Sequence, residues 1–508
     1  MKRRLQGILA GVVLCALLAA VLPAPAAAAD FQDVPDSHWA AEPIGRAADL
    51  GLIQGQTADR FGLGSPMTRG AFVTVLCRLF GWEMISPETG SYTDNQDPSA
   101  WYFSAVETAY AHGAITDQTD EFRPRDPITR EEMAVMLVRA MGYGTIAGLA
   151  QDLPMPFQDV TTNAGYIAMA YELGLVNGTS AAAFSPDRTA TREQAAAMLM
   201  RLYDGYHTAA PERIGIARSA EGLTDLTGYA AVAVPGGRLI GAGGARVTNQ
   251  PAAEITDAIL SAVRAAGSQP LLYVIGGGTA LRGDTDDLAS ALVSAVDASG
   301  CEGLFLDLEK LSSEHKRDFT ALAEALRERL GDRPLYLMAE APVWQGETYG
   351  GYDCAALAEF ADRLVLRVTP YEEASAADFP VGPVEPLEEV YYALAELRET
   401  AEQGKISLLL TTTGAAWSDE RHTGDISAAE IEALLADPQT RSYYADRYGC
   451  AYLTTDDGAA VWYLDGEAAR ERVRLAAFFG VDQLCLSDLS SVADYENYDL
   501  LGSLTAEP

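Results

Sequence analysis

The sequence predicts an α/β protein: an all-α triple repeat over the first two hundred residues, then an eight-stranded (β/α)8 TIM-type barrel. Three observations predict it. A Thr-Arg pair recurs at positions 68, 129 and 191, spacings of 61 and 62 residues. After residue 206, eight short apolar runs alternate with Ala/Glu/Arg-rich helical stretches. The chain of 508 residues, 48% hydrophobic and 21% charged, has the composition of ordinary globular domains, with a length that suits about three of them.

Charge narrows the function classes. The chain has 36 basic and 72 acidic residues, a net charge of -36 spread along its length. That surface opposes nucleic-acid binding, which needs basic groups facing phosphates. It also opposes adsorption to anionic lipid.

At the N-terminus, Lys2, Arg3 and Arg4 precede an apolar run from Ile8 to Leu22, and Ala26 to Ala29 lead to Asp30. This reads as a secretory signal peptide over residues 1–29, cut near Ala29. The run is short for a membrane span and ends at Pro23 and Pro25, so no membrane partner is expected after cleavage. Cys77, Cys301, Cys354, Cys450 and Cys485 follow at wide spacings without a CxxC pair. A zinc site or dithiol motif is therefore not expected, and most of these thiols should be small buried residues.

The repeats are read over residues 30–88, 89–150 and 151–205. Phe31-Gln-Asp-Val34 returns as Phe157-Gln-Asp-Val160, with Tyr92-Thr-Asp94 between them. Each opening leads to an Ala-rich helical stretch and a turn at Gly51, Gly113 or Gly174. An aromatic segment follows, at Phe61, Phe122 or Phe184, and then the Thr-Arg pair and a second helix. Thr68, Thr129 and Thr191 sit where a helix N-cap is needed. Glu132 and Gln194 stand three residues after the last two threonines, at capping-box spacing. One such two-helix unit cannot bury its apolar faces alone, so the three should associate.

The recurring motifs of residues 30–205 resemble the S-layer homology (SLH) domain in triplicate. That resemblance implies a three-pronged helical bundle that binds a pyruvylated secondary polymer of the Gram-positive cell wall. It implies that Arg69, Arg130 and Arg192 hold the acidic ketal groups, a task that suits the planar, two-pronged guanidinium. The alternative is that these arginines cap helices and pair with nearby carboxylates. Gly70 and Asp117 depart from the family pattern.

Residues 206–508 hold the second fold. Its strand candidates are Ile214–Ala217, Ala230–Val234, Leu271–Ile275, Leu304–Leu308, Leu335–Met338, Leu364–Val368, Ile406–Leu410 and Gln483–Leu486. Strands alternating with helices argue for parallel pairing, and eight in this length fit a closed barrel. The runner-up is a doubly wound open sheet. Its candidate for a phosphate-binding first turn, Gly276-Gly-Gly278, lacks the GxGxxG spacing.

The fourth candidate strand, Glu302-Gly-Leu-Phe-Leu-Asp-Leu-Glu309, carries the chemistry. Alternation points Leu304, Leu306 and Leu308 at the covering helices, and Phe305, Asp307 and Glu309 into the barrel. The two carboxylates fall at the C-terminal end, where barrel active sites are built. Side by side and shielded from water, they push one pKa upward, which suits Glu309 as a general acid.

This segment resembles the DGxDxDxE motif of glycoside hydrolase family 18. Leu271 to Gly277 is similar to that family's third strand, Ile406 to Trp417 to its seventh strand and following tryptophan, and Ala451 to Tyr463 to a hairpin of its spore-germination, cortex-lytic branch. The resemblance implies a substrate-assisted retaining mechanism without cofactor or metal. Glu309 protonates the glycosidic oxygen, the substrate's acetamide attacks the anomeric carbon, and Asp307 orients that acetamide. Tyr371 and Glu372 fill the role of the sixth-strand motif only with a two-residue shift. Trp417, Trp344 and Trp462 are candidates to stack on sugar faces. Phe305 stands where the family has Asp or Asn, and Ser487 where it has a floor tryptophan. The expected protein is a wall-anchored glycosidase acting on N-acetylglucosamine-containing glycan, peptidoglycan or a chitin-like polymer. The alternative is a surface glycan-binding protein with a catalytically weak or inactive barrel, held to the wall by the same repeats.

Overall fold

The computed structural model describes residues 31–505, apart from 117–118, 151–153, 208–209, 221–222, 224, 343–348, 369–381, 399–402, 420 and 493–495. The signal-peptide reading of residues 1–29 lies outside the described residues. The chain divides into two units, Met1–Asp204 and Gly205–Pro508.

The first unit is helical. Its helices are α1 (Ala41–Asp49), α2 (Arg69–Leu79), α3 (Phe103–Ala111), α4 (Arg130–Ala140), α5 (Gly144–Leu149), α6 (Ala164–Glu172) and α7 (Arg192–Tyr206). The second helix of each repeat starts at the arginine of its Thr-Arg pair, and in the first two repeats the threonine before it caps the first turn. The Thr68 hydroxyl accepts from the Ala71 N–H at 3.3 Å, and Thr129 and Glu132 form a reciprocal capping box. In the third repeat only half of that box forms: the Thr191 N–H donates to Gln194 at 3.2 Å, while the buried Thr191 Oγ1 has no partner. The turns after α1, α3 and α6 need left-handed backbone, with φ of 71° at Gly51, 70° at Gly113 and 71° at Gly174.

The aspartate of each opening motif grips the aromatic segment of its own repeat. Asp33 accepts from the Phe61 N–H at 2.7 Å, Asp94 from Phe122 at 2.8 Å and Asp159 from Phe184 at 2.8 Å. Donation by the Phe184 N–H holds the Asp159 carboxyl below its usual pKa. The three repeats then close on one another in a ring. The Ile128 N–H donates to Met67 O at 2.9 Å, Ala190 N–H to Ile128 O at 2.9 Å, and Met67 N–H to Ala190 O at 3.0 Å.

The second unit contains fourteen strands among the described residues: β1 (Glu212–Ile216), β2 (Tyr229–Ile240), β3 (Arg246–Thr248), β4 (Gln269–Gly277), β5 (Gly303–Glu309), β6 (Leu335–Glu340), β7 (Arg363–Arg367), β8 (Ile406–Leu410), β9 (Gly414–Ser418), β10 (Arg421–Ile426), β11 (Arg441–Ala445), β12 (Cys450–Thr454), β13 (Ala460–Tyr463) and β14 (Gln483–Leu486). Its helices are α8 (Ala253–Ala265), α9 (Thr285–Ser299), α10 (Lys316–Leu330), α11 (Cys354–Phe360), α12 (Leu387–Leu397), α13 (Ala428–Leu435), α14 (Gly466–Phe478) and α15 (Leu500–Thr505).

Eight strands run parallel in the order β1-β14-β8-β7-β6-β5-β4-β2, and pairing of β1 with β2 closes them into a barrel. All eight fall on the runs predicted from sequence. The closed sheet replaces the open-sheet alternative. Ile216, Ala233, Tyr273, Phe305, Met338 and Val365 belong to its interior. Every residue of β5 and β6 except Glu309 is buried, which is why they read as nearly unbroken apolar runs.

Between β8 and β14 the chain forms a second, antiparallel sheet in the order β10-β9-β13-β12-β11. Sequence reading foresaw only its hairpin, β12 and β13. The five described cysteines are free thiols, four of them buried.

Candidate active site

Strand alternation sets the site. On β5, Leu304, Leu306 and Leu308 face outward and are at most 1% exposed, while Phe305 lies in the barrel interior between the rings of Tyr273 and Tyr336. Asp307 is next on the inner side and is fully buried. It is held by residues from two other strands. The Tyr273 hydroxyl donates to its Oδ2 at 2.6 Å. Arg367 Nη2 donates to Oδ2 at 2.5 Å and Nη1 to Oδ1 at 3.2 Å, a two-pronged ion pair. Arg367 Nη1 also reaches Glu340 Oε1 at 2.9 Å. Burial opposes the Arg367 charge, but the Asp307 and Glu340 carboxylates outweigh it and raise the guanidinium pKa.

Glu309 ends the strand half-buried. Burial raises its carboxyl pKa first, and the neighbouring Asp307 charge adds to the rise against Arg367, Arg238 and Lys310. The strand stops immediately afterwards. Lys310 turns into left-handed backbone at φ 57°, and the Tyr352 hydroxyl donates to Leu308 O at 2.5 Å and accepts from the Leu311 N–H at 3.3 Å. Gly277 stands opposite Glu309 on β4, so that flank carries no side chain.

Glu309 opens into a cleft of about 240 Å³ at the C-terminal end of the barrel. Glu340, Arg367, Arg218, Thr411 and Ser487 line the same cleft. Asp307 is not among its lining residues and lies beneath it. A carboxyl of raised pKa facing a cleft can deliver a proton to a leaving oxygen.

Behind the wall sits Glu385, 1% exposed and in left-handed backbone at φ 47°. Its Oε1 accepts from the Thr411 N–H at 2.8 Å and from the Thr411 hydroxyl at 2.5 Å, while Oε2 has no partner. Burial pushes this carboxyl up to about 7, against the Thr411 hydrogen bonds and the charge of Arg472. Arg472 on α14 is fully buried and donates only to backbone carbonyls, including those of Glu385, Gly449 and Ala468. It fastens the loop carrying Val384 and Glu385 to the outer helix.

Sequence reasoning missed Arg367, Glu340 and Glu385. A signal existed for Arg367: two residues after the interior Val365, it had to face inward if the run was a strand. Trp344, Tyr371 and Glu372 lie outside the described residues. Trp417, on β9, is 5% exposed with its ring centroid 5.4 Å from that of His422, and it does not line the cleft. Trp462 is 7% exposed and stacks on Tyr452 at 4.6 Å.

The arginines of the repeats make one pattern three times. Arg69 Nε donates to Phe122 O at 2.7 Å, Arg130 Nε to Phe184 O at 2.9 Å and Arg192 Nε to Phe61 O at 3.0 Å. Each guanidinium lies over the ring whose carbonyl it holds, at 4.7, 4.5 and 4.8 Å. Each arginine therefore reaches into the following repeat, and the third reaches the first. Their charges differ in setting. Arg69 pairs with Glu132 at 2.5 Å, a carboxylate that Arg123 shares at 2.9 Å. Among the described residues, Arg130 and Arg192 have no carboxylate in ion-pair contact. Arg69 lines a groove of about 190 Å³ with Arg123, Arg139 and Glu132.

Residues 30–73, 95–134 and 156–196 match the S-layer homology domain. An endoglucanase of Bacillus sp. (strain KSM-635) is 31% identical over 182 residues, covering 34% of this chain and 18% of the relative. An S-layer protein of Bacillus thuringiensis subsp. finitimus is 26% identical over 196 residues, covering 38% of this chain and 24% of the relative. The chain thus spans less than a quarter of the length of these relatives. Among solved structures, the Group IV chitinase of Ostrinia furnacalis superposes with a TM-score of 0.50 at 12% identity, covering 58% of this chain and 97% of that one. The likeness shows a shared fold.

Proposed function

We propose that this chain, which carries three S-layer homology domains ahead of its barrel, is a wall-anchored glycosidase acting on N-acetylglucosamine-containing glycan. The observation that carries the reading is Glu309: a half-buried carboxyl at the end of the fourth barrel strand, raised in pKa and open to a cleft. Its position and the order of the barrel motifs resemble glycoside hydrolase family 18, and the barrel shares its fold with a chitinase.

In this reading Glu309 protonates the glycosidic oxygen. The acetamide oxygen of the bound sugar attacks the anomeric carbon, and water later opens the cyclic intermediate with retention. Asp307 supports the step from below the cleft, its place fixed by Tyr273 and Arg367. The repeats hold the enzyme to an acidic wall polymer. Arg130 and Arg192 are the principal anion-holding residues, because Arg69 already faces Glu132.

Replacing Glu309 with Gln in the full chain is expected to lower release of reducing ends by about 100- to 10,000-fold. De-N-acetylated substrate should resist cleavage by the parent protein. Unchanged turnover in the variant, or equal cleavage of the deacetylated glycan, sinks the mechanism. A second reading has its own support: both Asp307 oxygens already accept from Arg367, which suits a barrel that binds glycan without cutting it. That reading expects saturable binding with no new reducing ends.

A further inference from the structure

Beside the cleft lies a second concavity of about 260 Å³, lined by Arg218, Arg238, Asn249 and Tyr273 among others. Arg218 lines both spaces. Tyr273 lines the second space, and its hydroxyl donates to Asp307 beneath the cleft. Arg238 is near enough to pull the Glu309 carboxyl pKa downward against burial and Asp307.

A β-bulge places Arg238 there. Along the β2–β4 pair, Pro235 stands beside Tyr273 and Arg238 beside Ile275, with the register shifting between Pro235 and Gly237. Tyr273 is an interior residue of the barrel and Ile275 packs against that interior. Plain alternation from Pro235 puts Gly237 on the inner side and Arg238 among the helices. The extra residue reverses that and turns Arg238 inward. Glycine makes the bulge possible. A Cβ on Gly236 meets Leu272 at 2.6 Å, and one on Gly237, where φ is +103°, meets Thr248 O at 2.3 Å.

Arg218 reaches the rim from the end of β1, with its Nε donating to Ser487 O at 3.2 Å. Among the described residues neither Arg218 nor Arg238 has a carboxylate partner. Two guanidinium groups without a carboxylate in ion-pair contact among the described residues thus share one concavity next to the proposed acid, in a chain with twice as many acidic as basic residues.

We infer that this concavity is a subsite for a carboxylate carried by the glycan, on a sugar next to the one at Glu309. A guanidinium recognises a carboxylate through parallel N–H donors, and a neutral chitin strand has no such group. The inference deepens the glycosidase reading and rests on it. It makes the substrate an acidic amino-sugar polymer.

The test uses the full chain carrying Glu309→Gln, titrated calorimetrically with three tetrasaccharides: neutral N-acetylglucosamine, alternating N-acetylglucosamine and N-acetylmuramic acid with free lactyl carboxylates, and alternating N-acetylglucosamine and glucuronic acid. At least one acidic probe is expected to bind about tenfold or more tightly than the neutral one. Which one does so identifies the carboxylate, lactyl ether or uronate. That advantage should vanish in the Arg218→Gln/Arg238→Gln double variant and be partly kept in Arg238→Lys, which retains charge without the fork. Circular dichroism reports whether each variant is folded. Equal affinity for all three probes, no binding of either acidic probe, or an advantage that survives the double variant overturns the subsite. Hydrolysis is read separately on the parent chain. Cleavage without any carboxylate preference leaves the glycosidase standing and removes the subsite. Arginine-dependent preference without cleavage does the reverse.

Discussion

Burial lifts the Glu385 carboxyl from its ordinary value of 4.5 to about 7. The folded chain therefore binds this proton more tightly than the unfolded chain. The contribution to stability is full below the unfolded pKa and is lost as pH rises toward 7. The shift corresponds to about 3 kcal/mol across that window. Glu385→Gln keeps an acceptor for Thr411 and removes the titration. Its urea midpoint is expected to exceed that of the parent at pH 8 and to lose that margin near pH 4.5; parallel pH profiles for the two proteins contradict this. Arg367 gives the opposite case. Arg367→Met leaves Asp307 and Glu340 buried without their cation and should destabilise the barrel by about 3–5 kcal/mol. Adding Asp307→Asn should recover part of the loss, and strict additivity in the double variant argues against the coupling. At this scale Asp307 and Glu309 were legible because they sit in one strand, where alternation fixes their direction. Arg367, Glu340 and Glu385 were not, because barrel closure brings them from other elements, and a Glu before Pro386 in an acidic chain looks like solvated loop.

Helix starts show how far a motif can be trusted at the scale of elements. Thr129 and Thr191 share a Thr-Arg sequence, yet only the Thr129 hydroxyl is used in a capping bond. Thr129→Val should cost about 1 kcal/mol, whereas Thr191→Val, which removes a buried hydroxyl without a partner, should be neutral or stabilising. Denaturant melts of the two variants check this, and equal losses count against it. The eight barrel strands were readable for a general reason: parallel strands buried on both faces become short, continuous apolar runs. The inserted sheet lacks that signature. β10 alternates between exposed and half-buried residues, and β11 is mostly exposed, so both read as loop.

Across the whole molecule, a net charge of -36 opposes the acidic wall polymer of the proposed function, and that reading assigns the attraction to local arginines. Arg130→Lys with Arg192→Lys should release the protein from purified walls, while Arg69→Lys should release it much less. Retention should also rise from about 10 mM to about 150 mM salt, as screening weakens the general repulsion faster than contacts in the grooves. Release by Arg69→Lys alone, or steadily falling retention over that range, contradicts this assignment. The two-part plan of the chain was legible in its repeats and periodicities, but the way the repeats join was not. Met67, Ile128 and Ala190 exchange backbone hydrogen bonds in a cycle, each donating to the preceding repeat, and Arg69, Arg130 and Arg192 form a second cycle, each donating to the following one. A linear stack of repeats has two fraying ends, but this cycle has none. Removing one member opens two seams at once, so two repeats are worth far less than two thirds of three. The order in which the chain visits the members, in contrast, is immaterial to those bonds: a circular permutant entering at the second repeat and leaving after the first satisfies every one of them.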